Sequence, residues 1–208
     1  MHIFLMLLSK GDYLIRNFQA TDILRFIIDG KSLGPDWAHT WEKLTLPQKI
    51  TIAPTKIASR IMLQGEKEPC SVLLDGYRLK ALVSARVRSG PTAWEIHCLN
   101  LPNNIPAEAY NLLVSICKLA SSRGGHRVFL RVPVQSRIIN LAREVGFIEL
   151  FVETSYTKNG SKPFSVMDNP LRAVSERDYV TIYDIYNETV PAKIKPSYAL
   201  TFNEWKDA

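Results

Sequence analysis

Glu95 and His97 are the residues of this sequence whose types and spacing most readily suggest chemistry. They lie two positions apart in the run Ala93-Trp-Glu-Ile-His-Cys-Leu-Asn-Leu101. Residues two apart in an extended strand point to the same sheet face. A carboxylate or an imidazole placed there can take a proton from an amine, directly or through water, which makes both candidate general bases. The competing reading pairs Glu95 with Arg86 or Arg88 across an antiparallel hairpin. Arg123, His126, Arg127 and Arg131 form a second group, suited to phosphate contact or to a solvated strand end. Trp37 and Trp41 either line an acceptor groove or cover the sheet. Cys70, Cys98 and Cys117 show no metal-ligand spacing and read as reduced thiols, with Cys98 and Cys117 in the core.

These residues depend on a βαβ unit between Ala93 and Phe147. A strand at 92–101 is followed by Pro102-Asn-Asn-Ile-Pro106, then by apolar helical spacing over 107–122. Gly124-Gly125 stops that helix, and 126–132 forms a second strand. A second helix covers 136–145 and ends at Gly146-Phe147. Such a unit implies parallel strands with a right-handed crossover. Ligands of open α/β sheets sit beyond the carboxyl ends of such strands, here near Leu99 to Ala107.

Three antiparallel strands lead into this unit. Cys70–Asp75 and Leu79–Arg88 flank Asp75-Gly76, a tight-turn signal, and the third is 92–101. Earlier, Met1–Lys10 reads as a strand or ordered tail, and Leu14–Phe18 as a short strand. A helix follows over 21–29, a short helix lies within the connection 32–47, and another covers 55–64. After the βαβ unit, 148–158 is rich in β-formers.

With 208 residues, 46% of them hydrophobic, the chain suits one full domain and a remainder. Its net charge of +6 fits an anionic ligand but lacks any aromatic or helical nucleic-acid signature, so nucleic acid is not expected as a partner. The Ile3–Leu8 run lacks the basic flank and length of a signal peptide, and no stretch approaches the roughly 20 apolar residues of a membrane span. A cytoplasmic protein is therefore expected, with no membrane partner.

The segment after Asn169 repeats the start of the chain. Arg16-x5-Asp22 and Arg172-x5-Asp178 both lead into an apolar helix and then to a Trp beside an acid, Trp41-Glu42 and Glu204-Trp205. Matched order at this distance suggests a tandem duplication. The expected organisation is a domain at 1–158, a linker at 159–170 and the incomplete start of a second repeat at 171–208.

From about Leu14 to Lys158 this order resembles the GNAT superfamily of acyl-CoA N-acyltransferases. The marks that carry the resemblance are Trp94-Glu-Ile-His-Cys-Leu-Asn-Leu-Pro102 before a crossover helix and Ala142-Arg-Glu-Val-Gly-Phe147 at the end of the next. It implies an α/β (α+β) fold with a mixed sheet, antiparallel strands preceding the parallel βαβ unit. It also implies transfer of an acetyl or other acyl group from acetyl-CoA or another acyl-CoA to an amine, of a small molecule or a protein, by direct attack. Glu95 lies where several members carry a general base. A β-bulge near Leu99 to Leu101 would splay the parallel strands, and backbone groups there would hold the pantetheine. The cofactor-binding candidates, through their backbone, are Leu99, Asn100, Leu101, Asn103, Asn104 and Ala107.

The chain departs from the family at two hallmarks. The family cradles the CoA pyrophosphate with a glycine-rich loop, where successive N–H groups and the helix dipole favour phosphate. Here Pro102-Asn-Asn-Ile-Pro-Ala-Glu-Ala109 has no glycine and places Glu108 where phosphate would sit. The family's usual acid, a Tyr four residues before Gly-Phe, is Ala142 here, and an Asn often found at that helix start would fall at Gln135 or Ser136. Acetyl-CoA binding by this copy is therefore expected to be weak or absent. Two functions follow: an N-acetyltransferase with a weak or inactive copy, or a non-catalytic GNAT-like structural or regulatory domain supporting an active second copy.

Overall fold

The apolar runs between residues 70 and 130 assemble into one sheet in the computed structural model, which describes residues 13–29, 33–40, 43, 68–105, 107–154, 156, 172–198 and 201–206. The strands are β1 (Tyr13–Asn17), β2 (Cys70–Asp75), β3 (Arg78–Ser89), β4 (Ala93–Asn100) and β5 (Arg127–Leu130). Their spatial order is β1-β2-β3-β4-β5. The first four pair antiparallel, and β5 joins β4 in parallel. The fold is thus the expected mixed α/β sheet. Helix α1 is Asp22–Asp29, the crossover α2 is Ala109–Ser122, and α3 is Ile138–Val145. Gly146, in the left-handed region at φ 107°, ends α3 as its position after Val145 predicts.

The sheet is covered on both faces, which explains why β2 and β4 read as near-continuous apolar runs. Leu112, Leu113 and Ile116 of α2 pack with Leu73, Val83, Trp94, Ile96 and Leu99. Phe26 of α1 packs with Val72, Leu74, Leu79, Leu82 and Cys98 in a second cluster. Burying each such side chain contributes roughly 1.5–3 kcal/mol.

The corner between β1 and α1 is fixed by charge. Arg16 reaches Asp22 through both terminal nitrogens, at 2.6 Å each. Asp22 is fully buried and also accepts from Arg25 at 2.9 Å and from the Gln19 N–H at 2.9 Å.

The chain divides into two compact units, Met1–Ile148 and Glu149–Ala208. In the second, a 3-10 turn at Glu176–Asp178 leads into α4 (Tyr179–Thr189), followed by α5 (Lys195–Tyr198) and α6 (Phe202–Lys206). Tyr183 of α4 meets Phe202 edge-on at 5.2 Å between centroids and lies 5.4 Å from Trp205. Its entry corner repeats that of the first unit: Arg172 holds Asp178 through both terminal nitrogens at 2.6 Å, and the Ser175 N–H donates to the same carboxylate at 2.8 Å. Even the minor contact recurs, Arg16 to the Asn17 carbonyl and Arg172 to the Ala173 carbonyl.

In the connection 32–47, where a short helix is expected, Lys43 is helical, while residues 33–40 run alongside β4 with a bridge between Asp36 and Asn100. Gly34, at φ 76°, holds this part of the connection out of a helix. Residues 148–154 and 156 form no strand despite their β-formers, since propensity without a paired neighbour does not make a sheet. The expected elements at 1–10 and 55–64, the linker at 159–170, and Trp41 lie outside the described residues.

Candidate functional site

The site is a wedge opened by a β-bulge. Ala85 pairs with Ile96 and Ser84 with Cys98, so His97 is the extra residue on β4. The bulge therefore sits at His97, two residues before the expected Leu99 to Leu101. Its effect on side chains is a change of phase. Before it, Trp94 and Ile96 face α2; after it, Leu99 and Leu101 do. The parallel pairing of β4 with β5 stops at the same point, at Ile96 and Leu130. From His97 to Asn100, β4 runs on without β5 beside it.

Glu95 and His97 lie on the other face, as the spacing predicts, but each is engaged there. Arg86, directly opposite in register, grips Glu95 Oε1 through Nε at 2.8 Å and Nη2 at 2.6 Å. His97 Nε2 lies 3.1 Å from Ser84 Oγ and 3.7 Å from Glu68 Oε2. Both side chains are buried. The Ser84 hydroxyl donates to the Pro69 carbonyl at 3.0 Å, so it is not poised as a nucleophile. The thiols are inert as well: burial pushes all three up, Cys117 to about 11 and Cys70 and Cys98 well above the usual range.

The backbone candidates of β4 are in use by the chain itself. The Trp37 N–H donates to the Leu99 carbonyl at 2.8 Å, and the Leu99 N–H donates to Asp36 Oδ1 at 2.9 Å. Asn100 reaches the Gly34 carbonyl through Nδ2 at 3.3 Å. The Leu101 carbonyl accepts from Trp37 Nε1 at 3.2 Å, so this Trp covers the sheet edge. On the opposite arm, the His39 N–H donates to the Arg131 carbonyl, just beyond β5, at 2.9 Å. Lys43 Nζ closes the arrangement, donating to Asp36 Oδ2 at 2.5 Å, to the Ala38 carbonyl at 2.9 Å and to the bulge carbonyl of His97 at 2.5 Å. Gly34 allows the approach: its φ is 76°, and a Cβ there would lie 2.4 Å from the Leu101 carbonyl oxygen.

Asn103, Asn104 and Ala107 are exposed on the approach to α2, which begins two residues later than expected, at Ala109. The sequence reading missed Gly34, Asp36 and Lys43, which act on β4 from more than 50 positions away in the chain. One local signal of the bulge was present: the apolar positions of 94–101 switch from even to odd after Ile96.

Burial first, and then the neighbouring Lys43 charge, holds His39 below its ordinary value; Asp36 pulls the other way and Arg131 adds to the depression. The sign follows. Above about pH 7 the imidazole is neutral whether the 33–40 segment is seated or released. As pH falls through the ordinary His value, the released form takes a proton that the seated form resists, so seating weakens. Amide-exchange protection at Trp37 and His39, corrected for intrinsic rates, should drop between pH 7 and 5 and stay flat in His39→Gln. A flat profile in the unaltered protein contradicts this.

No family model matches the chain, and no curated protein matches it in sequence. Solved structures do. The complex of AAC(6')-Iy with a bisubstrate analogue, CoA-S-monomethyl-acetylneamine, aligns with a TM-score of 0.53 at 15% identity, over 72% of this chain and 100% of that one. Glucosamine-6-phosphate N-acetyltransferase from Arabidopsis thaliana aligns at 0.50 and 14%, over 71% and 99%. An aminoglycoside acetyltransferase from an uncultured soil metagenomic sample, in complex with trehalose, aligns at 0.51 and 14%, over 70% and 96%. The fold is that of the GNAT acetyltransferases. In this GNAT fold, the β4 edge expected to hold a pantetheine arm already carries residues 34–39. In the seated arrangement the Leu99 N–H and carbonyl are both bonded within the chain.

Proposed function

We propose that this chain is a GNAT-type acyl-CoA N-acyltransferase relative whose first unit performs little or no acetyl transfer in the seated state. The single observation behind this reading is the Trp37 N–H on the Leu99 carbonyl, with Asp36 on the Leu99 N–H, inside the wedge. Three further features support it. Glu95 is committed to Arg86. Ala142 stands where the family carries a Tyr acid. The α2 approach lacks a glycine-rich loop, and losing two charge-assisted bonds there while placing Glu108 beside the phosphates weakens binding by on the order of 3–7 kcal/mol, or about two to five powers of ten in Kd. The family reaction, acyl transfer from acyl-CoA to an amine of a small molecule such as an aminoglycoside or an amino sugar, remains the chemical frame for the wedge.

The second reading, a non-catalytic domain supporting another copy, is favoured by the repeated corner. Arg172, Ser175 and Asp178 reproduce the contacts of Arg16, Gln19 and Asp22. The same bonds at the same spacing support a repeat beyond the shared residue types. On this reading, 171–208 opens a second GNAT-like repeat and 1–158 is its companion.

Titration of the chain with acetyl-CoA by calorimetry, with a transfer assay on amino sugars, tests the proposal. The expected result is no saturation below about 1 mM and no turnover. Low-micromolar affinity together with turnover lost in Glu95→Gln would replace it with an active first unit.

A further inference from the structure

We propose that residues 34–40, latched by Lys43, form an autoinhibitory strap that competes directly with the pantetheine arm of an acyl-CoA for the β4 edge. The proposal rests on the reading of the wedge as an acyl-CoA slot. A pantetheine arm is an extended chain with two amide groups. To lie along β4 it needs an acceptor and a donor on that edge, and Leu99 supplies both. The strap uses the same two groups: Trp37 donates to the carbonyl, and Asp36 accepts from the N–H. It therefore satisfies in cis the demand that the ligand would satisfy in trans.

The strap pairs with β4 by an isolated bridge rather than a ladder, and His39 bonds the Arg131 carbonyl. Trp37 Nε1 on the Leu101 carbonyl, Asn100 Nδ2 on the Gly34 carbonyl and the buried Ala38 add to the hold. Charged side chains at a partly exposed edge complete it: Lys43 and Asp36 are 24% and 26% accessible. A segment with sparse backbone pairing opens more readily than the sheet beneath it. Lys43 is placed to control that opening, because one ammonium binds the strap at Asp36 and Ala38 and the sheet at His97. A seated population of 99% would weaken apparent affinity about a hundredfold, and removing the latch would return that factor.

The test compares the unaltered chain with Asp36→Ala/Lys43→Ala, using acetyl-CoA titration and hydrogen exchange at the Trp37 and Leu99 amides. Lys43→Met, which keeps the apolar stem and deletes the donors, serves if the double variant does not fold. The expected result is faster exchange at both amides, with at least about tenfold tighter acetyl-CoA binding. Faster exchange with no gain in binding overturns the strap as competitor, and with it the acyl-CoA reading of the wedge. Unchanged exchange and unchanged binding overturn the latch alone. Low-micromolar binding by the unaltered chain with Trp37 still protected overturns the strap while upholding the acyl-CoA slot.

Discussion

Arg16→Ala should cost the first unit about 3 kcal/mol of stability, because it strands a buried carboxylate. Asp22 is fully buried at the β1–α1 corner, and Arg16 supplies two of its bonds. Arg25 remains as a second cation, which keeps the cost at the lower end of the range for a broken buried pair. The pH dependence follows from the direction of the shift. Burial alone would raise the Asp22 value, but the bonds from Arg16, Gln19 and Arg25 together bring it below the ordinary carboxylate range. A depressed carboxylate contributes stability above its unfolded value, and that contribution is lost as pH falls through the folded one. The gap between the unaltered protein and Arg16→Ala should therefore be widest near neutrality and shrink below about pH 4. Urea unfolding at pH 7 and pH 3.5 measures both. Arg172→Ala makes the matched comparison: it breaks the same geometry at a corner where the Arg side chain is 69% accessible, and its midpoint should move far less. Equal effects at the two corners would contradict the assignment of the cost to burial.

Gly34→Ala should unseat the strap. At φ 76° an L side chain costs about 1–2 kcal/mol. The added Cβ would also lie 2.4 Å from the Leu101 carbonyl oxygen and 2.8 Å from the Pro102 Cα, both backbone atoms that cannot swing away. Overpacking of that kind costs about 1–3 kcal/mol, so the sum is roughly 2–5 kcal/mol. Protection at the Trp37 and Leu99 amides should fall by about thirtyfold or more. Gly76→Ala is the control for a strained alanine placed away from the strap. Gly76 has φ 57° with open space around its Cβ position, so it carries the backbone strain without the clash. It should leave the Trp37 and Leu99 amides unchanged. Retained protection in Gly34→Ala would mean that Leu101 and Pro102 yield, and the strap would then be a firmer part of the sheet than its isolated bridge indicates.

Local order was legible because local order is periodic. Glycines at 124 and 146 mark helix ends, Asp75-Gly76 marks a hairpin, and the spacing of Leu112, Leu113 and Ile116 marks a buried helix face. Each of these signals acts over a few residues, where backbone sterics and side-chain direction suffice. The repeated Arg-x5-Asp spacing was legible too, but the ion pair it makes in both units appears only in the structure. β-propensity at 148–154 misled because a strand needs a neighbour, which composition does not supply.

The sequence by itself thus determined the strands and helices of the βαβ unit, the candidate pair Glu95 and His97 on one face, and the absence of a glycine-rich loop before α2. Tertiary structure alone decided what those residues face. Glu95 is taken by Arg86 because the β3–β4 register sets them opposite each other, and a register is a property of two strands. The bulge at His97 frees four residues of β4 from β5, and the freed edge has N–H and carbonyl groups that must find partners. Asp36 and Trp37, 63 and 62 positions before Leu99, provide them. Nothing at Asp36, Trp37 or Lys43 announces this, because a backbone edge accepts any suitably placed donor or acceptor. Only the path of the folded chain brings these ones to it.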